Sequence, residues 1–125
     1  MGINCSFYIL GGLFNILYKK YKNLLIYFSK VYIYMLHKYL VEFLGTMFLA
    51  FIIFATGNYL AIGAALAVGA FLGGPVSGGS FNPAVTLALY HSGKLMKSDI
   101  VPYIIVEILG ALAGFEAYKR VIKKA

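Results

Sequence analysis

Residues 73 to 86 read Gly73-Gly74-Pro75-Val76-Ser77-Gly78-Gly79-Ser80-Phe81-Asn82-Pro83-Ala84-Val85-Thr86, and this stretch decides how the chain is organised. Its first half is too glycine-rich and proline-broken to continue a helix, so a loop is expected over 73 to 81. Asn82 is a favoured N-cap and Pro83 is pre-set for a first helical position, which predicts a helix from Pro83 to about His91. Ser92-Gly93-Lys94 stops it. About nine residues at 1.5 Å each rise only about 13 Å, close to half the hydrocarbon thickness of a bilayer. Yet Ala84, Val85, Leu87, Ala88 and Leu89 are apolar. A short apolar helix behind a glycine loop reads as a re-entrant half-helix. Irregular backbone is tolerated at membrane depth only where protein buries it or where it lines a wet cavity.

The rest of the chain supplies the membrane setting. Of 125 residues, 62% are hydrophobic and 12% charged, against the roughly 25% charge of a soluble domain. Mean hydropathy is +0.84. Too few polar residues are present to cover a water-facing surface, so the bilayer is the expected solvent. Eleven Lys and Arg stand against four acidic residues, but nearly all the cations flank apolar runs, which marks membrane-interface anchors rather than a nucleic-acid surface. The single cysteine, Cys5, forms no intramolecular disulfide and belongs to no ligand cluster. No basic n-region precedes the first apolar run, so the N-terminus is expected to be retained.

Three spans are expected. Tyr39 to Gly57 carries one charge, Glu42, and reads as a transmembrane helix. Leu60 to Gly74 is apolar and dense in glycine and alanine, as helices are when their backbones approach closely in lipid. The third span runs from Ser98-Asp99, expected as its N-cap with Pro102 in the first turn, to about Tyr118. Residues 1–34 are set apart as a leader from a membrane domain over 35–125. Its apolar segments, Ile3 to Tyr18 and Leu24 to Leu36, fall short of the roughly 20 residues that cross a bilayer. They fit an interfacial amphipathic or poorly ordered leader; residues 3 to 18 as an additional span is the other reading.

The N-terminus of the half-helix is where chemistry is expected. Aligned peptide dipoles place about +0.5 of a charge there, which repels cations. The Asn82 side chain offers two N–H donors and a carbonyl acceptor. A neutral hydrogen-bonding solute would find an oriented contact, and a cation or proton an electrostatic barrier. An Asn-Pro-Ala tripeptide by itself is also an ordinary capped turn.

The tripeptide has company. Ser77-Gly78-Gly79-Ser80-Phe81-Asn82-Pro83-Ala84-Val85-Thr86 closely resembles the first signature loop of the aquaporin and glycerol-facilitator (major intrinsic protein) family. Glu42-Phe43-Leu44-Gly45-Thr46 is similar to that family's first-helix motif, Glu-x-x-x-Thr, and Glu107-Ile108-Leu109-Gly110-Ala111 to its third helix. The resemblance covers about residues 35 to 120, one half-repeat. It implies that Asn82, Pro83 and Ala84 are the pore signature and that the carbonyls of Gly78, Gly79, Ser80 and Phe81 form a ladder of acceptors along the pore wall. It also implies that Glu42, with Thr46 and Glu107, braces the loop. The physics agrees for Glu42, because an ionisable group inside a span is expensive and is usually paired or functional. A Glu near enough to the helix start to reach the interface is the plainer reading. Counting back without gaps puts Ile62 at the family's second-helix selectivity position, where an aliphatic residue makes the narrowest point less polar.

Departures from the family pattern are specific. Ser80 stands where the family often has His, Pro75 sits in the approach to the loop, and Glu107 stands where a Gln is usual. The family is built from two inverted repeats whose Asn-Pro-Ala tips meet at the midplane, and this sequence contains one. A second half is therefore expected as partner, from a separately encoded chain or from a second copy inserted upside down. In the family's orientation Lys38, Lys94 and Lys97 flank one side of the membrane domain and Lys119, Arg120, Lys123 and Lys124 the other, close to no orientation bias. Leader lysines 19, 20, 22 and 30 would tip the balance inward if they lie near the membrane. A dual-topology antiparallel homodimer, or higher oligomer, follows as the hypothesis.

The expectation is thus an all-α, multi-pass integral membrane protein with three spans and one half-helix. It would pass water or small neutral solutes without a cofactor, the bilayer and a second half being its partners. A non-conducting membrane interaction or structural protein derived from a channel half is the alternative. No carboxylate pair, Ser/His/Asp set, metal cluster or phosphate loop supports an enzyme. Met1-Gly2-Ile3-Asn4-Cys5-Ser6 fits the N-myristoylation pattern at Gly2, with Cys5 available for palmitoylation. His91 is expected to meet the C-terminal dipole of its helix rather than to gate a pore.

Overall fold

A computed structural model describes residues 3–123, with side chains from Gly12 onward. Four helices follow one another: α1 (Ile3–Thr56), α2 (Tyr59–Ser77), α3 (Pro83–His91) and α4 (Lys97–Val121). No strand occurs among the described residues. Three helical segments, Gly12–Thr56, Tyr59–Ser77 and Lys97–Val121, are long and apolar enough to cross a bilayer. Contacts divide the chain into two units, Met1–Met35 and Leu36–Ala125.

The first unit is helical from Ile3. The glycine pair at 11 and 12 does not interrupt it; each glycine costs a helix about 1 kcal/mol, and the flanking Leu10 and Leu13 are good helix formers. Residues 12–34 are exposed. Gly2 and the side chain of Cys5, where the acylation pattern falls, lie outside the described residues.

In the second unit, α1 ends where Gly57 takes a left-handed φ of 58°. Asn58 then caps α2, its Oδ1 accepting the N–H groups of Leu60 (2.8 Å) and Ala61 (3.2 Å). The expected loop at 73 to 77 is helix instead. α2 continues through Gly73, Gly74 and Pro75 to Ser77 and stops only at Gly78, whose φ is 92°. One bond within α2 and one from α4 hold this last turn. Ser77 Oγ bonds the Gly73 carbonyl at 3.3 Å, and the wholly buried Tyr103 on α4 donates to the Ser77 carbonyl at 2.7 Å.

The start of α4 also differs from expectation. The helix begins at Lys97 behind Met96, which makes no side-chain cap, and Asp99 lies inside the first turn. The Asp99 carboxylate has another engagement. It pairs with Lys38 of α1 (Nζ–Oδ2 2.5 Å) and accepts the Tyr39 hydroxyl at 3.1 Å, and the lysine also lies 5.9 Å from the Tyr103 ring centre. Both partners are buried, 7% and 1% exposed by side chain, so Lys38 is a paired, internal cation.

Glycines set how closely the helices approach. A methyl group added at Gly110 of α4 would collide with the Phe43 carbonyl of α1, and one at Gly114 with the Met47 carbonyl. Two glycines four apart thus bring the α4 and α1 backbones into contact, the small-xxx-small arrangement of helices packed in lipid.

Candidate functional site

The site grows from the five residues between α2 and α3. Gly78 and Gly79 take φ values of 92° and 63°, and Phe81, without the freedom of glycine, is held at 48°. Such a conformation persists only where its surroundings over-determine it. Two sets of contacts do so. The Phe81 ring is buried against Gly45 of α1 and against Gly69 and Gly73 of α2; an added Cβ at Gly73 would come within 2.9 Å of it and one at Gly69 within 3.0 Å. The backbone is held by Glu42 of α1, wholly buried, whose Oε1 accepts the Ser80 N–H at 3.1 Å and whose Oε2 accepts the Phe81 N–H at 2.7 Å. Two orphan N–H groups are satisfied by one buried carboxylate, a strong charge-assisted arrangement.

A second carboxylate reaches the same loop. Glu107, on the face of α4 that packs against α3, is wholly buried, with Oε1 2.5 Å from Ser80 Oγ and 2.6 Å from Thr86 Oγ1. Ser80 Oγ also lies 3.1 Å from Glu42 Oε2 and 2.7 Å from Thr86 Oγ1. Four oxygen–oxygen contacts therefore join two carboxylates through two hydroxyls. Glu107 Oε2 closes no hydrogen bond.

From this fixed point α3 emerges. Asn82 is extended (φ −159°, ψ 127°), and its Oδ1 caps the helix by accepting the Ala84 N–H at 2.8 Å, with Pro83 in the first turn. The cap uses the acceptor, which leaves the two side-chain N–H donors of an exposed residue directed elsewhere. Asn82, Pro83 and Phe81 line a cleft of about 330 Å³ together with Thr46, Ala50 and Glu107.

The structure brings most of the sequence-derived residues together, with exceptions. Thr46 borders the cleft beside Phe81 and Asn82, and its hydroxyl bonds the Glu42 carbonyl in its own helix at 2.7 Å. Threonine in a helix commonly bonds the carbonyl four residues back. Ile62 lies in the first turn of α2, half-buried, and does not line this cleft. Of the four residues expected to present carbonyls, Gly78 is exposed, Gly79 half-buried, and Ser80 and Phe81 buried; among the described residues no donor is bonded to their carbonyls. His91 is in the last turn of α3. Sequence reasoning missed the receptacle for Phe81, the Ser80–Glu107–Thr86 contacts and the Lys38–Asp99 pair. The Gly110-Ala-Leu-Ala-Gly114 spacing was a readable signal; the Phe81 receptacle, drawn from two helices, was not.

The chain matches the family described as Major intrinsic protein over residues 56–125. It is 42% identical over 93 residues to glycerol uptake facilitator protein-like 6 of Lactiplantibacillus plantarum, covering 67% of this chain and 43% of that protein. To aquaporin Z of Brucella melitensis it is 42% identical over 95 residues, covering 64% of this chain and 42% of that protein. Aquaglyceroporin AqpS of Rhizobium meliloti matches at 46% over 57 residues, 46% of this chain and 24% of that protein. The chain thus spans about two fifths of the length of the first two relatives. No solved structure matches it significantly. With three membrane-length helices and a family match across more than half of its length, this chain is an integral membrane protein of the major intrinsic protein family.

Proposed function

We propose that the chain forms one wall of a passive pore for water or small neutral solutes, with the 78–82 loop and α3 entering the bilayer as a re-entrant half-helix. The observation that carries this reading is the pairing of a clamped loop with an open cap. Glu42 holds the Ser80 and Phe81 N–H groups, and Asn82, next in sequence, is exposed on the wall of a cleft. Preorganised donors on a rigid support are what a pore needs to replace the hydration of a passing solute without distorting. Asn82 is the donor, the free carbonyls of Gly78 to Phe81 are the acceptors, and the N-terminal dipole of α3 opposes cations. Ile62 is proposed as the aliphatic side of the narrowest point.

One loop makes half a pore wall, so a second repeat completes it. We propose that a second copy supplies this repeat by inserting in the opposite sense, the two Asn82 tips meeting near mid-membrane. The names of the relatives, glycerol facilitator and aquaporin, support a small neutral solute as cargo. Water-soluble thiol reagents test the wet cleft in a Cys5→Ser background. Asn82→Cys and Ala84→Cys should react rapidly in the reconstituted protein, and Thr86→Cys, buried beside Glu107, should not. Silence at all three positions would point to a sealed bundle and overturn the pore.

A further inference from the structure

We infer that the groove between α1 and α2 in the second unit binds one acyl chain of a bilayer lipid, seated on the Phe81 ring. The groove is separate from the cleft of Asn82, and the inference stands whether or not that cleft conducts.

Sequence spacing builds the groove. On α1, Val41 and Gly45 are four apart, as are Leu44 and Phe48; on α2, Gly69 and Gly73 are four apart, as are Val68 and Leu72. Residues four apart share a helix face, so each helix lends one row containing glycine and a neighbouring row of large apolar side chains. The structure sets these rows around a groove of about 460 Å³. Leu44 and Phe48 on one side, Val68 and Leu72 on the other, are exposed. Gly73 and Phe81 are buried, and Gly45 and Gly69 half-buried. The groove therefore has bulky rims and a floor of glycine and one ring.

Its floor is as wide as that ring. An added Cβ on Gly45 would meet one edge of Phe81, at Cδ1 and Cε1, and one on Gly69 would meet the other edge, at Cε2. At one end the groove closes, since an added Cβ on Gly73 comes within 2.8 Å of Val41 Cγ1. A helix with its side chains is about 10–12 Å across and meets the rims before it reaches such a floor. These glycines make room for a ring, whereas Gly110 and Gly114 let two helix backbones approach. A hydrocarbon chain, about as wide as the ring beneath it, fits between the rims.

Chemistry selects the same occupant. Among the described residues no polar side chain lines the groove, and helical backbone satisfies its own polar groups, so nothing there bonds water or a polar solute. Left empty, the lining forfeits its dispersion contacts on one side. Both helices are of membrane-spanning length, so the apolar material at hand is lipid chain. From Val41 to Phe48 is eight residues, about 10 Å of the roughly 30 Å of hydrocarbon, room for a segment of one chain. Phe81 alone among the described residues lines both this groove and the cleft of Asn82, so the chain lies directly behind the residue that precedes Asn82.

A photoreactive lipid tests this. The full-length protein is reconstituted in phosphatidylcholine vesicles carrying a trace of phosphatidylcholine with a diazirine on one acyl chain, irradiated, and the labelled residues are located by mass spectrometry. Gly45, Gly69 and Phe81 should be labelled as strongly as Leu109 of α4, which is far more exposed. In Leu44→Trp/Val68→Trp, which roofs the groove, floor labelling should fall several-fold relative to Leu109, while Val101→Trp, exposed on α4, leaves the ratio unchanged. The wild-type measurement needs no substitution and decides even if the double variant misfolds. Label on the rims and Leu109 but not on the floor of the wild type would show the groove unoccupied and overturn the inference. Floor labelling that emerges only when the protein is diluted in lipid would assign the groove to a second copy, and floor labelling indifferent to the roof would place the probe elsewhere; either result also overturns it.

Discussion

Ser80 Oγ lies 2.5 Å from Glu107 Oε1, a contact across 27 residues that ties the loop before α3 to the middle of α4. Both residues differ from the usual family pattern, in which histidine and glutamine occupy these positions, and here the smaller loop side chain meets a carboxylate. Two hydroxyl hydrogens serve the four oxygen–oxygen contacts of this cluster, so an amide at 107 would add donors where donors are scarce. Glu107→Gln should therefore keep or raise the melting temperature in detergent. Glu107→Ala should lower stability by about 1–3 kcal/mol, since it leaves the buried Thr86 hydroxyl and the Ser80 hydroxyl short of a partner. Equal losses for Gln and Ala would contradict this.

The Phe81 ring should make Gly45 unsubstitutable in a particular way. A methyl group at Gly45 overlaps the ring, which is the far end of a side chain, whereas one at Gly110 overlaps the Phe43 carbonyl, which is backbone. Overpacking costs about 1–3 kcal/mol. Gly45→Ala should be partly rescued by Phe81→Leu, and Gly110→Ala should not. Thermal unfolding of the two single variants and the two doubles decides the matter; rescue of both or neither would remove the receptacle as the explanation.

The pair Lys38–Asp99 is buried, and breaking one side leaves an uncompensated charge. Asp99→Asn or Lys38→Met alone should destabilise by about 3–5 kcal/mol, while Lys38→Met/Asp99→Leu should recover most of the loss. Double-variant stability no better than the singles would mean that Tyr39 and Tyr103, not the pairing, set the cost.

Lys38 bears on orientation as well. Lys38 is paired with Asp99 and Lys119 with Glu116, so in the family's orientation Lys94 and Lys97 would face Arg120, Lys123 and Lys124, a bias too weak to fix insertion. In a Cys5→Ser background, Ser92→Cys should be labelled in part from each face of sealed vesicles. Complete labelling from one face would rule out antiparallel self-association.

Much of the architecture was legible before any coordinates. Hydropathy separated three spans, Asn82-Pro83 announced the helix it caps, and Glu42 stood out as a lone charge in an apolar run. The errors share a cause. Gly73, Gly74 and Pro75 look like a helix terminator, and Asp99 looks like a cap, but each is overridden by a partner distant in sequence: Tyr103 donating to Ser77, and Lys38 pairing with Asp99. Local propensity costs about 1–3 kcal/mol at such residues, a preference that contacts made elsewhere in the fold can offset.

The most direct test of the pore is osmotic. Full-length protein reconstituted in liposomes is mixed rapidly with hypertonic buffer, and shrinkage is followed by stopped-flow light scattering for the wild type, Asn82→Asp and empty vesicles. If the chain assembles a pore through its loop, the wild type shrinks well faster than empty vesicles, and Asn82→Asp, at equal incorporation, loses most of that excess. Folded, incorporated wild-type protein shrinking no faster than empty vesicles would contradict the assembled pore.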